Sequence, residues 1–417
     1  MSDLALAVDR VTAWVVQSAY RDDERATWVG TQPPDVSTDP PRFATLGPDL
    51  YDGTAGVALY LAERGARGDE TATHLAIQAL RQTLHLRSEI SARSSLGLYS
   101  GLPGILVATD SVMQLNDDAR VEFESAFTGV LAEIDLQLDS DPEEFDLISG
   151  MSGAIVGLLA VDASGHALDL ALTAATRLLA VASSTGDTLF WRDPKAPRNL
   201  GLTGLSHGAS GPAVAFSELF AATQEERWRD ASLAAFAYER RWFDAPARNW
   251  PDLRRRQRVR IAESLPFVTA WCHGAAGIGL ARAHAFVRLD DEVLREEALV
   301  SMETTVGWLR ENLDRPWAGP TLCHGIAGNA AIVLTVARLL DVPELAGLAM
   351  AAAEDLSSAA LSQDLDEGDM ATPALMLGWS GIAMFLQDCL RPLGTSPLLP
   401  GLELPDNQTR EQRGGFS

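Results

Sequence analysis

A Gly-x-x-Gly phrase followed by an apolar run occurs seven times in this chain of 417 residues. The copies read LYDGTAGVALYLA from Leu50, LYSGLPGILVA from Leu98, DLISGMSGAIVGLL from Asp146 and LSHGASGPAVAF from Leu205. WCHGAAGIGLA from Trp271, LCHGIAGNAAIVL from Leu322 and LMLGWSGIAMFL from Leu375 complete the set. Their first glycines are Gly53, Gly101, Gly150, Gly208, Gly274, Gly325 and Gly378, spaced by 48, 49, 58, 66, 51 and 53 residues. A period near 50 means an array of one supersecondary unit. The small and apolar residues after each second glycine read as a helix buried on most sides. Segments between them, such as EVLREEALVSMETTVGWLRENL at 292–313, keep their charges on one face and read as outer helices. β-branched alternation is scarce, so no hairpin is expected. The predicted fold is all-α: an (α/α) barrel or toroid of seven inner and seven outer helices, with a Gly-x-x-Gly phrase at each inner-helix N-terminus. An open solenoid competes, but it would need polar capping repeats, and the first and last phrases are as apolar as the others.

In a ring of parallel inner helices the seven N-termini meet at one end. Residues just before the glycines then converge, however distant in sequence. Three copies carry Asp52, Ser100 and Leu377 at that place. The other four carry Asp146, His207, Cys272 with His273, and Cys323 with His324. The chain has three cysteines, and two of them are here. Cys272, Cys323 and His324 form a candidate zinc site. Two thiolates and an imidazole leave the fourth tetrahedral position open, as catalytic sites do, and helix N-termini favour thiolate. The alternative is a pair of small buried apolar residues, the reading that suits Cys389 in IAMFLQDCL. His207 can be a fourth ligand, a general acid/base beside the metal or a satisfied structural histidine. Asp146 can orient His207 or cap a turn. His273 either faces the open position or packs behind the metal.

Composition narrows the setting. A net charge of −24 argues against nucleic acid and acidic membranes as partners. No signal-peptide pattern opens the chain, no 18-residue apolar run suggests a membrane span, and three cysteines cannot make a disulfide framework. A reducing cytoplasm is the expected location.

The phrases WCHGAAGIG, CHGIAGN, SHGASG and DLISGMSG resemble the motifs of LanC-like lanthipeptide cyclases, over about residues 45–390. LYDGTAGVALYLA and NWPDLR at 249–254 look closest to the C-terminal cyclase domains of LanM-type synthetases. The resemblance implies a seven-repeat α/α toroid and one zinc ion per chain on Cys272, Cys323 and His324. It implies thioether formation: a cysteine of a dehydrated precursor peptide adds to dehydroalanine or dehydrobutyrine. His207 matches the family's proton-transfer position and Asp146 its orienting partner, with His273 a third candidate catalytic residue. Many stand-alone bacterial cyclases carry Tyr where this chain has His273, and Arg where it has Val268. The sequence holds no dehydratase region, so a separate dehydrating enzyme supplies the substrate or the chain is an excised domain. Two alternatives remain at this level: addition of glutathione or another thiol to dehydroamino acids, and a non-catalytic zinc-binding scaffold.

Residues 1–44 read as an N-terminal helix, about 3–20, and a Pro-rich loop at 31–41. Residues 45–390 form the toroid, and 391–417 a mobile tail. Residues 240–260 hold eight arginines against Asp244 and Asp252, either a docking surface for an acidic leader or partner enzyme or a solvated face.

Overall fold

The computed structural model describes residues 2–32, 42–140, 143–193, 200–254, 266–313, 315, 319–367, 371–393, 395, 396 and 398–403. Helices are numbered in chain order. Each phrase starts an inner helix: α2 (Thr54–Gly65), α4 (Leu102–Met113), α6 (Met151–Val161), α8 (Ser210–Thr223), α10 (Ala275–Leu289), α12 (Ile326–Leu340) and α14 (Trp379–Leu390). An outer helix follows each of the first six: α3 (Glu70–Leu86), α5 (Asp117–Asp139), α7 (Gly165–Ala180), α9 (Glu226–Arg240), α11 (Glu292–Asn312) and α13 (Ala346–Ser362). Every inner helix packs on the next, and α14 packs on α2. The array is therefore a closed ring, and the solenoid is excluded.

The seventh outer helix comes from the other end of the chain. α1 (Asp3–Gln17) packs on α13 and α14. It buries Leu4, Ala7, Val8, Val11 and Val15 in the one core shared by all repeats. Arg10 ties it to α13 by donating to the Ala360 carbonyl at 2.7 Å. The helix in the 1–44 segment thus completes the toroid in space. Most of the Pro-rich stretch, residues 33–41, lies outside the described residues.

The phrase exists because two backbones must nearly touch. The residue three places before the first glycine turns its carbonyl onto the second glycine. A Cβ there would lie 2.4 Å from Leu50 O at Gly56, 2.1 Å from Leu98 O at Gly104 and 1.8 Å from Leu322 O at Gly328. The neighbouring repeat presses on the same glycine: Leu50 Cβ on Gly104, Leu147 Cβ on Gly211, and Leu375 Cβ on Gly56 across the ring closure. Only glycine leaves room for both contacts.

Four short antiparallel pairs sit between the helices, against the expectation of none: β1 (Tyr20–Arg21) with β2 (Ala26–Thr27), β3 (Val29–Gln32) with β4 (Arg42–Thr45), β5 (Ser183–Thr185) with β6 (Thr188–Phe190), and β7 (Thr395–Ser396) with β8 (Leu399–Glu403). Strands of two to five residues are too short to show alternation in sequence. The last pair also corrects the expectation of a mobile tail from Arg391. Leu393, Leu398 and Leu399 are buried in the common core, and β8 packs on the inner helix α6. The Leu398 carbonyl accepts from Tyr99 Oη at 2.7 Å and from Trp271 Nε1 at 3.0 Å. Residues 404–417 lie outside the described residues.

Gly328→Ala is expected to cost at least about 2 kcal/mol, the scale of forced overpacking. Gly129→Ala, in α5 with nothing within 4 Å of the added Cβ, should gain roughly 0.5–1 kcal/mol. Urea denaturation of both variants checks this; equal midpoints would show that the phrase tolerates a side chain.

Candidate active site

Backbone hydrogen bonds link neighbouring phrases around the mouth of the ring. Tyr51 N donates to Tyr99 O (3.0 Å), Ser100 N to Ile148 O (3.1 Å), Leu147 N to Ser206 O (3.1 Å) and Ser206 N to Cys272 O (3.3 Å). Cys323 N donates to Met376 O (3.0 Å) and Met376 N to Tyr51 O (2.9 Å). Six of the seven junctions are closed this way. Among the described residues no such bond joins the fifth phrase to the sixth, and Cys272 and Cys323 stand on either side of that gap.

Their side chains meet. Interaction between the two thiols holds Cys272 below the ordinary thiol range and pushes Cys323 well above it. Burial opposes the first shift and reinforces the second. The Tyr51 hydroxyl lies near enough to Cys323 to favour its thiolate. The charges of Arg254 and His207 further favour the Cys272 thiolate. His324 follows Cys323 with its side chain exposed. Among the described residues no three Cys, His, Asp or Glu side chains are gathered closely enough to hold an ion. The donor set nevertheless fits a thiophilic metal. Two thiols are in contact, one already biased toward thiolate, and an imidazole follows directly in the chain.

His207 and Asp146 come together as a pair. His207 Nδ1 lies 2.6 Å from Asp146 Oδ2, and Ser149 N donates to Asp146 Oδ1 at 2.6 Å. A carboxylate accepts, so the His207 hydrogen sits on Nδ1, and Nε2 has no hydrogen-bond partner among the described residues. The turn carrying His207 is held from behind by Glu239 of α9, which is fully buried. Glu239 accepts from Gly204 N (2.8 Å), Ser210 N (3.1 Å) and Ser210 Oγ (2.5 Å), and pairs with buried Arg282 at 3.1 Å.

The His273 ring lies 5.8 Å from that of His207. Its Nδ1 is 3.3 Å from Thr203 O, an acceptor, so Nδ1 carries the hydrogen. Its Nε2 is buried and has no hydrogen-bond partner. Burial, then the Arg254 charge, pushes its pKa down to about 4.

Several groups at the mouth escaped sequence reasoning. Asp49 sits against Asp52; burial first and the Asp52 charge second push Asp49 up to about 7. Tyr51 is invisible as chemistry until the fold brings its hydroxyl near Cys323. Asn249 and Arg254 arrive from the longest interval between phrases. Arg254 is clamped by Asp252 (Nη2–Oδ2 2.8 Å) with its side chain 37% exposed, and the thiol charges act on it. The described arginines of the 240–260 patch are all paired: Arg240 with Glu297, Arg241 with Asp187, Arg248 with Glu303, and Arg254 with Asp252. Residues 255–260 lie outside the described residues.

Comparison with known proteins follows the same outline. The family model described as lanthionine synthetase C-like protein matches residues 44–404. Among solved structures, nisin cyclase superposes with a TM-score of 0.68 at 16% identity, covering 95% of this chain and 96% of that one. A family 76 glycoside hydrolase (mannosidase) from Bacteroides thetaiotaomicron gives 0.47 at 14% identity, covering 99% and 100%. At such identities the likeness to nisin cyclase concerns the fold. Among the described residues no helix is long and apolar enough to cross a membrane.

Glu239→Ala leaves Arg282 buried with less charge compensation and frees two backbone donors. It should cost about 3–5 kcal/mol, the range for breaking a buried pair, as read by urea denaturation. A loss under about 1 kcal/mol, the scale of an exposed pair, would mean that the network does not hold the His207 turn.

Proposed function

The chain belongs to the lanthionine synthetase C-like family, and from that premise we propose that it is a zinc-dependent cyclase closing thioether rings in a dehydrated peptide. The observation that carries this reading is the meeting of Cys272 and Cys323 at the junction that, among the described residues, no backbone–backbone bond closes, within electrostatic reach of His207. Cys272, Cys323 and His324 would hold the metal. When bound, zinc supplies a Lewis acid that makes a substrate thiol nucleophilic at neutral pH.

The remaining steps fall to this chain's own groups. The substrate thiol loses its proton, its sulfur bonds to the β-carbon of the dehydroamino acid, and the α-carbon gains a proton. His207 Nε2 is the atom free to carry that proton, and Asp146 fixes its tautomer and balances the charge of the protonated ring. His273 acts as an acceptor through its bare Nε2. Arg254 brings positive charge to a region where the substrate carbonyl becomes anionic. Product and substrate have equal mass. The dehydroamino acid itself must come from an earlier dehydrating enzyme.

Zinc analysis and a peptide carrying one cysteine and one dehydroalanine test the proposal. One zinc per chain is expected, lost in Cys272→Ala, Cys323→Ala and His324→Ala. Wild type should remove the alkylatable thiol without a mass change. His207→Asn should keep its zinc and slow ring closure by about 100-fold or more, the usual scale for a general acid/base. Folded wild type that takes up no zinc would sink the reading. A peptide that gains one glutathione in place of ring closure would replace it with intermolecular thiol addition.

A further inference from the structure

In six repeats the N–H of the residue after the first glycine bonds to the carbonyl seven residues back. Thr54 bonds to Gly47, Leu102 to Ser95, Met151 to Glu144, Ala209 to Leu202, Ile326 to Gly319 and Trp379 to Thr372, all between 2.7 and 3.2 Å. The fifth repeat breaks the pattern. Ala275 N donates to Asn249 Oδ1 at 2.7 Å. The carbonyl it would have used, Val268 O, accepts from Asn249 Nδ2 at 3.1 Å. The Asn249 carboxamide is thus inserted into the missing bond, one edge on each partner, and the residue is 3% exposed.

Two further differences occur at the same place. Gly274 has φ +77°, whereas Gly53, Gly101, Gly150, Gly325 and Gly378 lie between −104° and −134°. A Cβ on Gly274 would fall 1.7 Å from Val268 O and 3.1 Å from Asn249 Oδ1, so only glycine fits the altered turn. The fifth-to-sixth junction also lacks the backbone bond that the others have. Asn249 itself is anchored by the chain around it: Trp250 N donates to its Oδ1 at 2.8 Å, and Thr203 Oγ1 donates to Pro251 O at 2.8 Å. The segment therefore ties the His207 turn to the Cys272 turn.

We propose that Asn249 is a positioning residue for the metal ligand Cys272. By taking over the cap bond it opens the fifth phrase, keeps the fifth-to-sixth junction free and sets the Cys272 sulfur against that of Cys323. The proposal rests on the zinc reading above. It carries a specific corollary. Without the carboxamide, Ala275 N can close onto Val268 O as in the other six repeats, so the variant folds while its thiols move apart.

The test uses the full chain with zinc(II) or cobalt(II) alone. Zinc affinity is read by chelator competition, and ligand geometry by the cobalt thiolate charge-transfer and d–d bands. Asn249→Ala is expected to weaken zinc binding by about 10–100-fold, the usual effect of losing a group that orients a ligand, and to alter the cobalt spectrum. Asn249→Asp keeps the acceptor for Ala275 N but cannot donate to Val268 O, and should fall between. Asn116→Ala, which removes the α5 cap held by Ala119 N at 2.8 Å, should lower stability while leaving affinity and spectrum unchanged. Unchanged affinity and spectrum in Asn249→Ala would overturn the proposal alone. Equal losses in Asn116→Ala would also overturn it, by showing that general destabilisation suffices. Wild type that binds no metal would overturn the zinc reading and the proposal together.

Discussion

The structure depends on one contact made seven times: a backbone carbonyl seated on the bare Cα of a glycine one helical turn into the next helix. Each seat brings the start of an inner helix against its own approach, and in six of the seven the neighbouring repeat presses on the same glycine. The residues that deliver those carbonyls are Leu50, Leu98, Leu147, Leu205, Trp271, Leu322 and Leu375, and all are fully buried. They form the floor of the mouth. A void there would forfeit contacts on every side of the ring, so these positions have little freedom.

The next two positions in each phrase are released from that duty, and in four phrases they carry a carboxyl, imidazole or thiol group. They hold Tyr51 and Asp52, Ser206 and His207, Cys272 and His273, Cys323 and His324. The other three phrases hold Tyr99 and Ser100, Ile148 and Ser149, and Met376 and Leu377 there. The fifth phrase departs from the rule even in the floor. Trp271 replaces leucine, stacks edge-on against Tyr99 at 4.9 Å and bonds to Leu398 O. The larger ring fits the repeat whose turn has been opened, and the C-terminal hairpin holds it from the other side.

The ring was legible because periodicity is local and repeated. Seven glycine pairs at one spacing carry the architecture without any long-range information, and they place His207, Cys272 and Cys323 in register at helix starts. The pairing of His207 with Asp146 was legible for the same reason, since both precede glycines of adjacent phrases. What was not legible belongs to no period. α1 completes the seventh repeat from the opposite end of the chain, and its amphipathic pattern does not name its partner. The segment from Leu393 to Leu399 looks like a tail because its few apolar residues become core only against a lumen that six other repeats build. Asn249 and Arg254 lie in the longest interval, where a charge count suggested a surface. Three of the four described arginines there are neutralised by acids outside the patch, and Arg254 is turned to the mouth by its own neighbour Asp252.

The two histidines at the mouth show how one residue type is divided between roles by its partner. His207 and His273 both carry their hydrogen on Nδ1 and both leave Nε2 bare. His207 gives its hydrogen to a carboxylate and keeps a side chain 25% exposed. His273 gives its hydrogen to the Thr203 carbonyl, is 1% exposed and faces the Arg254 charge. A second proton on that ring would be a buried cation beside another cation, which is why its pKa falls to about 4. At neutral pH His273 Nε2 can accept a hydrogen bond, and the ring takes up no second proton. The proposed assignment of proton transfer to His207 rests on this contrast, while His273 keeps its Nε2 lone pair beside the thiols.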